Sequence, residues 1–329
     1  MRLRNMALVG LMLITVGACG STAATATATA TGAGAGKAWN LTLIQGVAGD
    51  PFYVTMGCGA QAEATKEGAK LNITGGATWD ATVQTPVVNS VTAAKPDGVM
   101  IAPNDSKALL TPLKAMSDAG IKVTFVDTQL DDTSFAQSVI STDNAAGGTL
   151  AAKTLATLIG DKGTVLIVNV DPGISTTDAR VKGFQDEIKA NHPNVTVLDV
   201  QYTHDNASAA TTIITSILAA HPDLAGVFAT NVQNAEGVAT GLKTAGNTTV
   251  KTIAFDAGPK QIQDLNDNIV QGLIAQDPYT IGVDGVQQTI LALNGQPTTK
   301  VIQTQLAALT KDNVNDPTMQ KFLYKATCS

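Results

Sequence analysis

The sequence predicts an α/β protein with two doubly wound lobes, each a parallel sheet covered by helices. Apolar runs typical of buried strands alternate with stretches of helical length and periodicity. The alternation occurs in two successive series, and polar residues follow the apolar runs at corresponding places in both. Parallel strands separated by helices require right-handed crossovers, and the ligand crevice of such sheets lies at the carboxyl ends of the strands.

The first series begins near residue 39 and predicts one lobe. Its strand-like runs are short and continuously apolar, as in Val99-Met100-Ile101, which is typical of strands buried on both faces. We predict strands at residues 39–45, 70–74, 98–102 and 122–126. We predict helices near residues 52–67, 85–94 and 107–119.

The second series follows Asn144 and predicts a second lobe of the same kind. Here we predict strands at residues 164–169, 195–201, 226–229, 252–255 and 272–275. The intervening helices are expected near residues 150–159, 179–191, 207–220, 235–245 and 259–268.

The N-terminus predicts export. Arg2 and Arg4 precede a short apolar run at residues 6–16, and Val16-Gly17-Ala18-Cys19 places small residues directly before a cysteine. This order is typical of a signal peptide, here residues 1–18, and the final cysteine resembles the lipobox of bacterial lipoproteins. We therefore expect an extracytoplasmic protein, in a periplasm or on a cell surface, that Cys19 anchors to the membrane through lipid. An ordinary signal peptide with an incidental cysteine is the alternative.

Residues 19–38 are mostly Ala, Thr and Gly and predict a flexible linker. The formal charge of the whole chain is −6, and an acidic balance argues against nucleic acid as a partner. Apart from Cys19, the chain contains two cysteines, Cys58 and Cys328. An exported protein favours their pairing as a disulfide, and two buried free thiols are the alternative.

Polar residues follow the predicted strands at the edge where a crevice is expected. Asn104 and Asp127 follow strands of the first series, whereas Asn231, Asp256 and Gln276 follow strands of the second. Any one of them alone would be explained as a helix cap or turn residue. Together, such carboxylates and amides can bind several hydroxyl groups of a neutral polar ligand.

These residues also carry a family resemblance. The chain resembles bacterial type I periplasmic sugar-binding proteins, and especially their ribose-binding members, in order and at compatible spacing from residue 39 to about residue 302. The matching segments are Asp50-Pro51-Phe52-Tyr53, Gly59-Ala60-Gln61, Val126-Asp127, Thr142-Asp143-Asn144, Gly183-Phe184, Ala220-His221-Pro222-Asp223, Val227-Phe228-Ala229-Thr230-Asn231, Phe255-Asp256 and Ala275-Gln276.

The resemblance implies two Rossmann-like lobes that a three-strand hinge joins and that close on one sugar. It places the first lobe at residues 39–142 plus 277–302 and the second at residues 143–276. We expect residues 303–329 to form a C-terminal extension that packs back on the first lobe. The implied partner is an ABC transporter permease, with a chemoreceptor or another signalling partner as the alternative.

The resemblance also assigns ligand contacts. Asp50 matches a polar contact that is usually Asn in the family, and its position before Pro51 also suits a helix N-cap. Phe52 and Tyr53 match the aromatic pair that packs against the sugar ring, with packing of the first helix as the alternative. Four further residues match hydroxyl-binding positions of the family: Asp127, Asn231, Asp256 and Gln276.

Two arginines of the ribose-binding members are replaced in this chain. Thr128 stands after Asp127 where those members have an arginine, and Asp178 aligns with their second arginine. Arg180 is then the nearest candidate cation, and Asp178 is expected either to contact the ligand or to cap a helix. Because several carboxylates would share one cleft, we expect a small neutral or cationic sugar or polyol as the ligand, and exclusion of anionic sugars.

The sequence does not predict an enzyme. Hydrolase, metalloprotease and nucleotide-binding signatures are missing from it, although paired carboxylates leave a glycosidase-like activity as a remote alternative. We expect a monomer that acts by hinge closure, without a cofactor or metal ion, and a calcium ion bound by the clustered carboxylates is the alternative.

Overall fold

The computed structural model describes residues 38–328, and two separate sheets organise this part of the chain. The predicted signal peptide (residues 1–18), the predicted lipidation site Cys19 and nearly all of the predicted linker (residues 19–38) lie outside the described residues. Within residues 38–328, no helix combines the length and the apolar character that crossing a membrane requires.

The first sheet has six parallel strands in the order β2-β1-β3-β4-β5-β12. These are β1 (Asn40–Gln45), β2 (Lys70–Gly75), β3 (Gly98–Ile101), β4 (Lys122–Val126), β5 (Val139–Thr142) and β12 (Val301–Thr304). Its helices are α1 (Pro51–Lys66), α2 (Ala81–Ala94), α3 (Leu110–Asp118) and α9 (Pro278–Leu293). We call this sheet and its helices the first lobe.

The second sheet has the same winding, in the order β7-β6-β9-β10-β11-β13. Its strands are β6 (Gly163–Asn169), β7 (Val195–Val197), β8 (Gln201–Tyr202, paired with β6), β9 (Leu224–Ala229), β10 (Lys251–Phe255), β11 (Gly272–Gln276) and β13 (Leu306–Leu309). Its helices are α4 (Asn144–Leu158), α5 (Ser175–Asn191), α6 (Ala207–Ala220), α7 (Val232–Thr244) and α8 (Pro259–Asn266). We call this sheet and its helices the second lobe.

The predicted fold class is confirmed, and every predicted element is present, most of them with ends shifted by a few residues. The predicted strand at residues 195–201 is interrupted, because β7 and β8 pair with different parts of β6. The structure adds the strands β5, β12 and β13 and the helix α9, which were not predicted.

Three connections carry the chain between the two sheets: from β5 to α4, from β11 to α9, and from β12 to β13. The expectation for residues 303–329 needs a correction, because Leu306–Leu309 pairs antiparallel with β11 in the second sheet. Only the end of this segment returns to the first lobe, where Cys328 forms a disulfide with Cys58 on α1. The predicted disulfide is therefore confirmed.

Glycines let one helix pair in each lobe approach closely. A Cβ atom on Gly59 of α1 would lie 2.0 Å from the carbonyl oxygen of Tyr279 on α9. A Cβ atom on Gly148 of α4 would likewise lie 2.0 Å from the carbonyl oxygen of Arg180 on α5. These contacts hold α1 and α5, which both carry residues of the cleft, directly against their neighbours.

Candidate functional site

A cavity lies between the carboxyl ends of the two sheets and encloses about 460 Å³ of empty space, part of it open to solvent. Both lobes contribute side chains, so the cavity is an interlobe cleft. The first lobe contributes Val47, Asp50, Phe52, Tyr53, Trp79 and Asp127. The second contributes Val170, Ile174, Thr176, Thr177, Arg180, Asp205, Asn231, Val232, Asp256 and Gln276.

The start of α1 forms an aromatic wall of the cleft. Asp50 caps this helix, because its Oδ1 accepts a hydrogen bond of 2.8 Å from the backbone N–H of Phe52. The Phe52 and Tyr53 rings, both buried, pack edge to face, with centroids 5.1 Å apart. Trp79 stacks on Tyr53 at 6.1 Å and was not predicted. The wall offers apolar ring faces next to the polar groups of the cleft.

Asp127 follows β4 and turns its carboxylate toward the aromatic wall. Its backbone has φ of +64°, a left-handed conformation that Asp tolerates better than most residues. The Tyr53 hydroxyl donates a hydrogen bond of 2.6 Å to Asp127 Oδ2. Burial raises the pKa of Asp127 to about 6, although the Tyr53 hydroxyl and the Arg180 guanidinium act in the opposite direction.

Asp256 has the corresponding place after β10 in the second lobe. It also has a positive φ, +79°, and it accepts hydrogen bonds from Gln276 Nε2 at 2.6 Å and from the Tyr324 hydroxyl at 2.9 Å. Burial raises the pKa of the Asp256 carboxyl, and Arg180, whose Nη1 lies 4.0 Å from Asp256 Oδ2, counteracts the rise. The carboxylate is thus held on its donors and faces the cleft.

Within residues 38–328, Arg180 is the one guanidinium that lines the cleft. Its Nε donates to Asn144 Oδ1 at 2.8 Å, and its Nη1 donates to the carbonyl oxygen of Thr230 at 2.7 Å. The guanidinium lies 3.7 Å above the Phe255 ring. Arg180 therefore brings a positive charge to the cleft, and its guanidinium has donors left for a ligand.

Asn231 and Asp205 form a polar pair on the second lobe. Asn231 caps α7 by accepting from the N–H of Asn234, and its Nδ2 donates to Asp205 Oδ1 at 2.6 Å. Burial raises the pKa of Asp205 to about 6, although Asn231 opposes the rise. Asp205 was not predicted as a cleft residue, because it lies in a loop after the very short strand β8.

Asp50 has the most perturbed carboxyl among those with a resolved numerical value. Burial, followed by repulsion from Asp256, raises its pKa to about 8, and Asp205 adds to the rise. The N–H of Phe52 lowers the pKa but does not compensate. Among residues 38–328, four carboxyls and one guanidinium thus share the cleft. Burial, together with repulsion among the carboxyls, favours protonation of some of them near neutral pH.

Two residues predicted to bind the ligand lie outside this cavity. Asp178 accepts a hydrogen bond of 2.8 Å from the N–H of Gly173 in the loop before α5, and it does not line the cleft. Asn104 lines an adjoining cavity that shares Trp79 and Ile174 with the cleft. Its side chain is buried, and no residue within 38–328 hydrogen-bonds to its Oδ1 or Nδ2.

The lobes also touch directly beside the cleft. The N–H of Ser106 donates to the carbonyl oxygen of Gly173 at 3.1 Å, and the N–H of Gln129 donates to Ser175 Oγ at 3.0 Å. Ser106 and Gln129 belong to the first lobe. In the second lobe, Gly173 lies just before α5, and Ser175 is the first residue of that helix. These contacts define a closed arrangement of the two lobes.

Two doubly wound lobes closed on a polar cleft with an aromatic wall define a bilobal ligand-binding protein. The family model of the periplasmic binding protein domain matches residues 41–297. The chain belongs to this family.

Individual relatives agree with this assignment. The chain is similar to the ribose import binding protein of Escherichia coli, with 30% identity over 78% of this chain and 85% of the relative. It is similar to an ABC transporter solute-binding protein from Agrobacterium vitis bound with α-D-tagatopyranose, at 40% identity and a TM-score of 0.85. That match covers 87% of this chain and 99% of the relative. A carbohydrate-transporter binding protein from Agrobacterium radiobacter in complex with D-arabinose is similar at 27% identity and a TM-score of 0.84, over 87% of this chain and 99% of the relative. These relatives are binding proteins and not enzymes.

Proposed function

We propose that this protein is an extracytoplasmic solute-binding protein that captures one monosaccharide or small polyol and delivers it to an ABC transporter permease. The observation that carries the proposal is the cleft itself. Carboxylates of both lobes surround one cavity together with the side-chain amides of Asn231 and Gln276 and the guanidinium of Arg180. A ligand that touches both lobes stabilises the closed arrangement, because it gains contacts there that an open arrangement lacks.

The cleft chemistry supports a sugar or polyol. The rings of Phe52, Tyr53 and Trp79 offer apolar surface to the C–H face of a sugar. Asp127 and Asp256 offer acceptors for its hydroxyl groups. Two buried atoms of cleft residues, Thr177 Oγ1 and Gln276 Oε1, have no hydrogen-bond partner among the described residues, and ligand hydroxyls would supply those partners.

The relatives support the same class of ligand. Relatives include binding proteins for ribose and D-apiose import and solute-binding proteins in complex with D-arabinose, D-fucose and D-tagatose. The sugar differs from one relative to another. Membership of the family therefore indicates a sugar as the ligand, and the cleft residues select which sugar binds. The proposed ligand contacts here are Asp50, Phe52, Tyr53, Asp127, Arg180, Asp205, Asn231, Asp256 and Gln276.

We further propose that Cys19 carries the lipid anchor, that residues 19–38 form the tether, and that the protein works as a monomer. The small residues before Cys19 and the Ala-, Thr- and Gly-rich composition after it support the anchor and the tether. A Cys19→Ser variant should appear in the soluble fraction of cells, whereas the parent chain should sediment with membranes.

A thermal-shift screen tests the ligand class. D-tagatose, D-arabinose, D-ribose, D-fucose and short polyols are added separately, and at least one should raise the melting temperature, since a ligand of the native state stabilises it by mass action. The same compound should lose its effect on Asp256→Ala and keep it on the control Asp118→Ala, whose carboxylate is exposed on α3. A screen in which no sugar or polyol shifts the parent chain would reject the proposal.

A further inference from the structure

The C-terminal tail leaves the family match and enters the cleft region. The match ends at residue 297, and the chain then passes through β12 and β13 to a short 3₁₀ helix, Pro317–Phe322. Phe322 and Tyr324 are each only 5% exposed, so the tail packs into the protein instead of lying on its surface.

Two consecutive residues of this tail bond to different lobes. The N–H of Tyr324 donates to the carbonyl oxygen of Ala257, which follows β10 of the second lobe, at 3.1 Å. The N–H of Lys325 donates to Thr55 Oγ1, on α1 of the first lobe, at 2.7 Å. Three residues later, Cys328 is covalently joined to Cys58 of the same helix.

The side chain of Tyr324 bonds to groups that line the cleft. Its hydroxyl donates to Asp256 Oδ1 at 2.9 Å and accepts from the N–H of Gln276 at 3.2 Å. Its ring packs edge to face on Phe52 of the first lobe, with centroids 5.7 Å apart. Tyr324 thus touches two proposed ligand-binding residues of the second lobe and one of the first.

We propose that residues 324–328, the C-terminal strap, form a fourth connection between the lobes that limits opening of the cleft and positions the Asp256 carboxylate. The three chain crossings permit hinge motion, whereas the strap joins the N-terminal part of α1 to the residues after β10. When the lobes separate, Thr55 and Cys58 move away from Ala257. Because the disulfide holds Cys328 on α1, opening must stretch residues 325–327 or withdraw Tyr324 from Asp256.

The strap therefore raises the share of closed molecules before ligand arrives. A binding protein whose competent state is only partly populated binds with an affinity reduced by that fraction. Breaking the disulfide removes the covalent restraint, so the ligand-free protein should open further and bind more weakly.

Small-angle X-ray scattering of the ligand-free protein tests the restraint. The Cys58→Ser/Cys328→Ser variant should have a larger radius of gyration than the parent chain, and so should the parent chain after reduction. Circular dichroism checks that the variant and the reduced parent chain remain folded. An unchanged radius of gyration in both would overturn the strap as a restraint. Because this measurement uses no sugar, its failure is separate from failure of the proposed function.

Calorimetric titration with D-tagatose tests the positioning role of Tyr324, and this test rests on the proposed function. Tyr324→Phe keeps the ring and removes only the hydroxyl, so affinity should fall about tenfold as Asp256 loses a donor. The control is Tyr279→Phe, at a half-exposed tyrosine of α9. Equal affinity of Tyr324→Phe and the parent chain would overturn the positioning role.

The pH dependence of the same titration separates positioning from a general loss of structure. The Tyr324 hydroxyl lowers the pKa of Asp256, so its removal should shift the acidic loss of binding to higher pH. The charged or titratable groups that act on or respond to Asp256 are Arg180, Tyr324, Asp50, Asp127 and Asp205. All of them except Tyr324 are kept in the variant. A profile that falls in amplitude without shifting would contradict the proposal.

Discussion

Each lobe holds one aspartate at the cleft in the same way, but the charge of the aspartate is compensated differently in the two lobes. In each lobe an aspartate in a left-handed conformation follows the strand that is fourth across the sheet, β4 or β10. Its N–H donates to the neighbouring strand, at Ile140 for Asp127 and at Ile274 for Asp256. In each lobe a tyrosine hydroxyl donates to the carboxylate, from Tyr53 in the first and from Tyr324 in the second.

The difference lies in the source of the donors and of the positive charge. Tyr53 comes from the helix of its own lobe, whereas Tyr324 comes from the C-terminal strap. The guanidinium that lines the cleft, Arg180, belongs to the second lobe, yet it lowers the pKa of Asp127 in the first. The acidic first lobe thus gains its compensating charge when the lobes close, which links closure to electrostatics.

The largest expected effect comes from removing that charge. Arg180→Met should leave Asp256 buried without its cation and lower the free energy of unfolding by about 3 kcal/mol, as breaking a buried ion pair does. Urea denaturation measures the change, and Lys182→Met, at an exposed ion pair on the same helix, is the control. A loss no greater than that of the control would show that Arg180 does not compensate the cleft carboxylates.

The equivalence of the two aspartates is tested next. Asp256→Ala and Asp127→Ala should each cost about 2 kcal/mol of affinity for the sugar found in the screen, since each removes a charge-assisted hydrogen bond within a closed cleft. Isothermal titration calorimetry provides the values. If one variant binds as the parent chain does, the two lobes are not equivalent in holding the ligand.

A smaller effect should follow from the excess of carboxyls over guanidinium. D-ribose 5-phosphate should bind at least tenfold more weakly than D-ribose, and D-galacturonate more weakly than D-galactose, because like charge repels in a desolvated cleft. The comparison requires pairs of sugars measured at one ionic strength. Tighter binding of either acidic form would refute the electrostatic reading of the cleft.

The smallest effect concerns Asp50 and the dependence of stability on pH. Because burial raises its pKa above the unfolded value, its contribution to stability is fully present below about pH 4 and is lost as the pH rises through about 8. Asp50→Asn keeps an N-cap and removes this loss, so it should exceed the parent chain in stability by on the order of 1 kcal/mol at about pH 9.

The matched control for this prediction is Asp80→Asn. Asp80 caps α2 in the same manner, but it is exposed, and hydrogen bonds from Thr82 lower its pKa. Its replacement should bring no gain at alkaline pH. A gain of equal size in both variants would mean that the cap residue, and not the charge of the cleft, causes the effect.

Much of the cleft could be predicted from the sequence because parallel strands align their carboxyl ends. Asp127, Asn231, Asp256 and Gln276 each follow an apolar run by a few residues, and all four line the cavity. The signal is local, since a polar residue after a buried strand is visible without knowledge of packing.

The missed residues have no such local signal. Trp79 and Asp205 lie in loops, and Tyr324 lies in a tail with little regular structure. Arg180 and Asp178 were both predicted as ligand contacts, and of the two the structure places only Arg180 in the lining of the cleft. On a helix, positions two residues apart point in different directions, so the exact start of α5 decides which of them faces the ligand.

By itself, the sequence determined the α/β class, the two series of strands, the polar strand ends and an even pair of cysteines, because periodicity and strand-end chemistry are local properties. Only the tertiary structure decided which carboxyls share one cleft and that Arg180 compensates them. It also decided that residues 306–309 join the second sheet while Cys328 returns to the first lobe. These outcomes depend on contacts between residues far apart in the chain, and burial of those contacts sets the pKa values of the site.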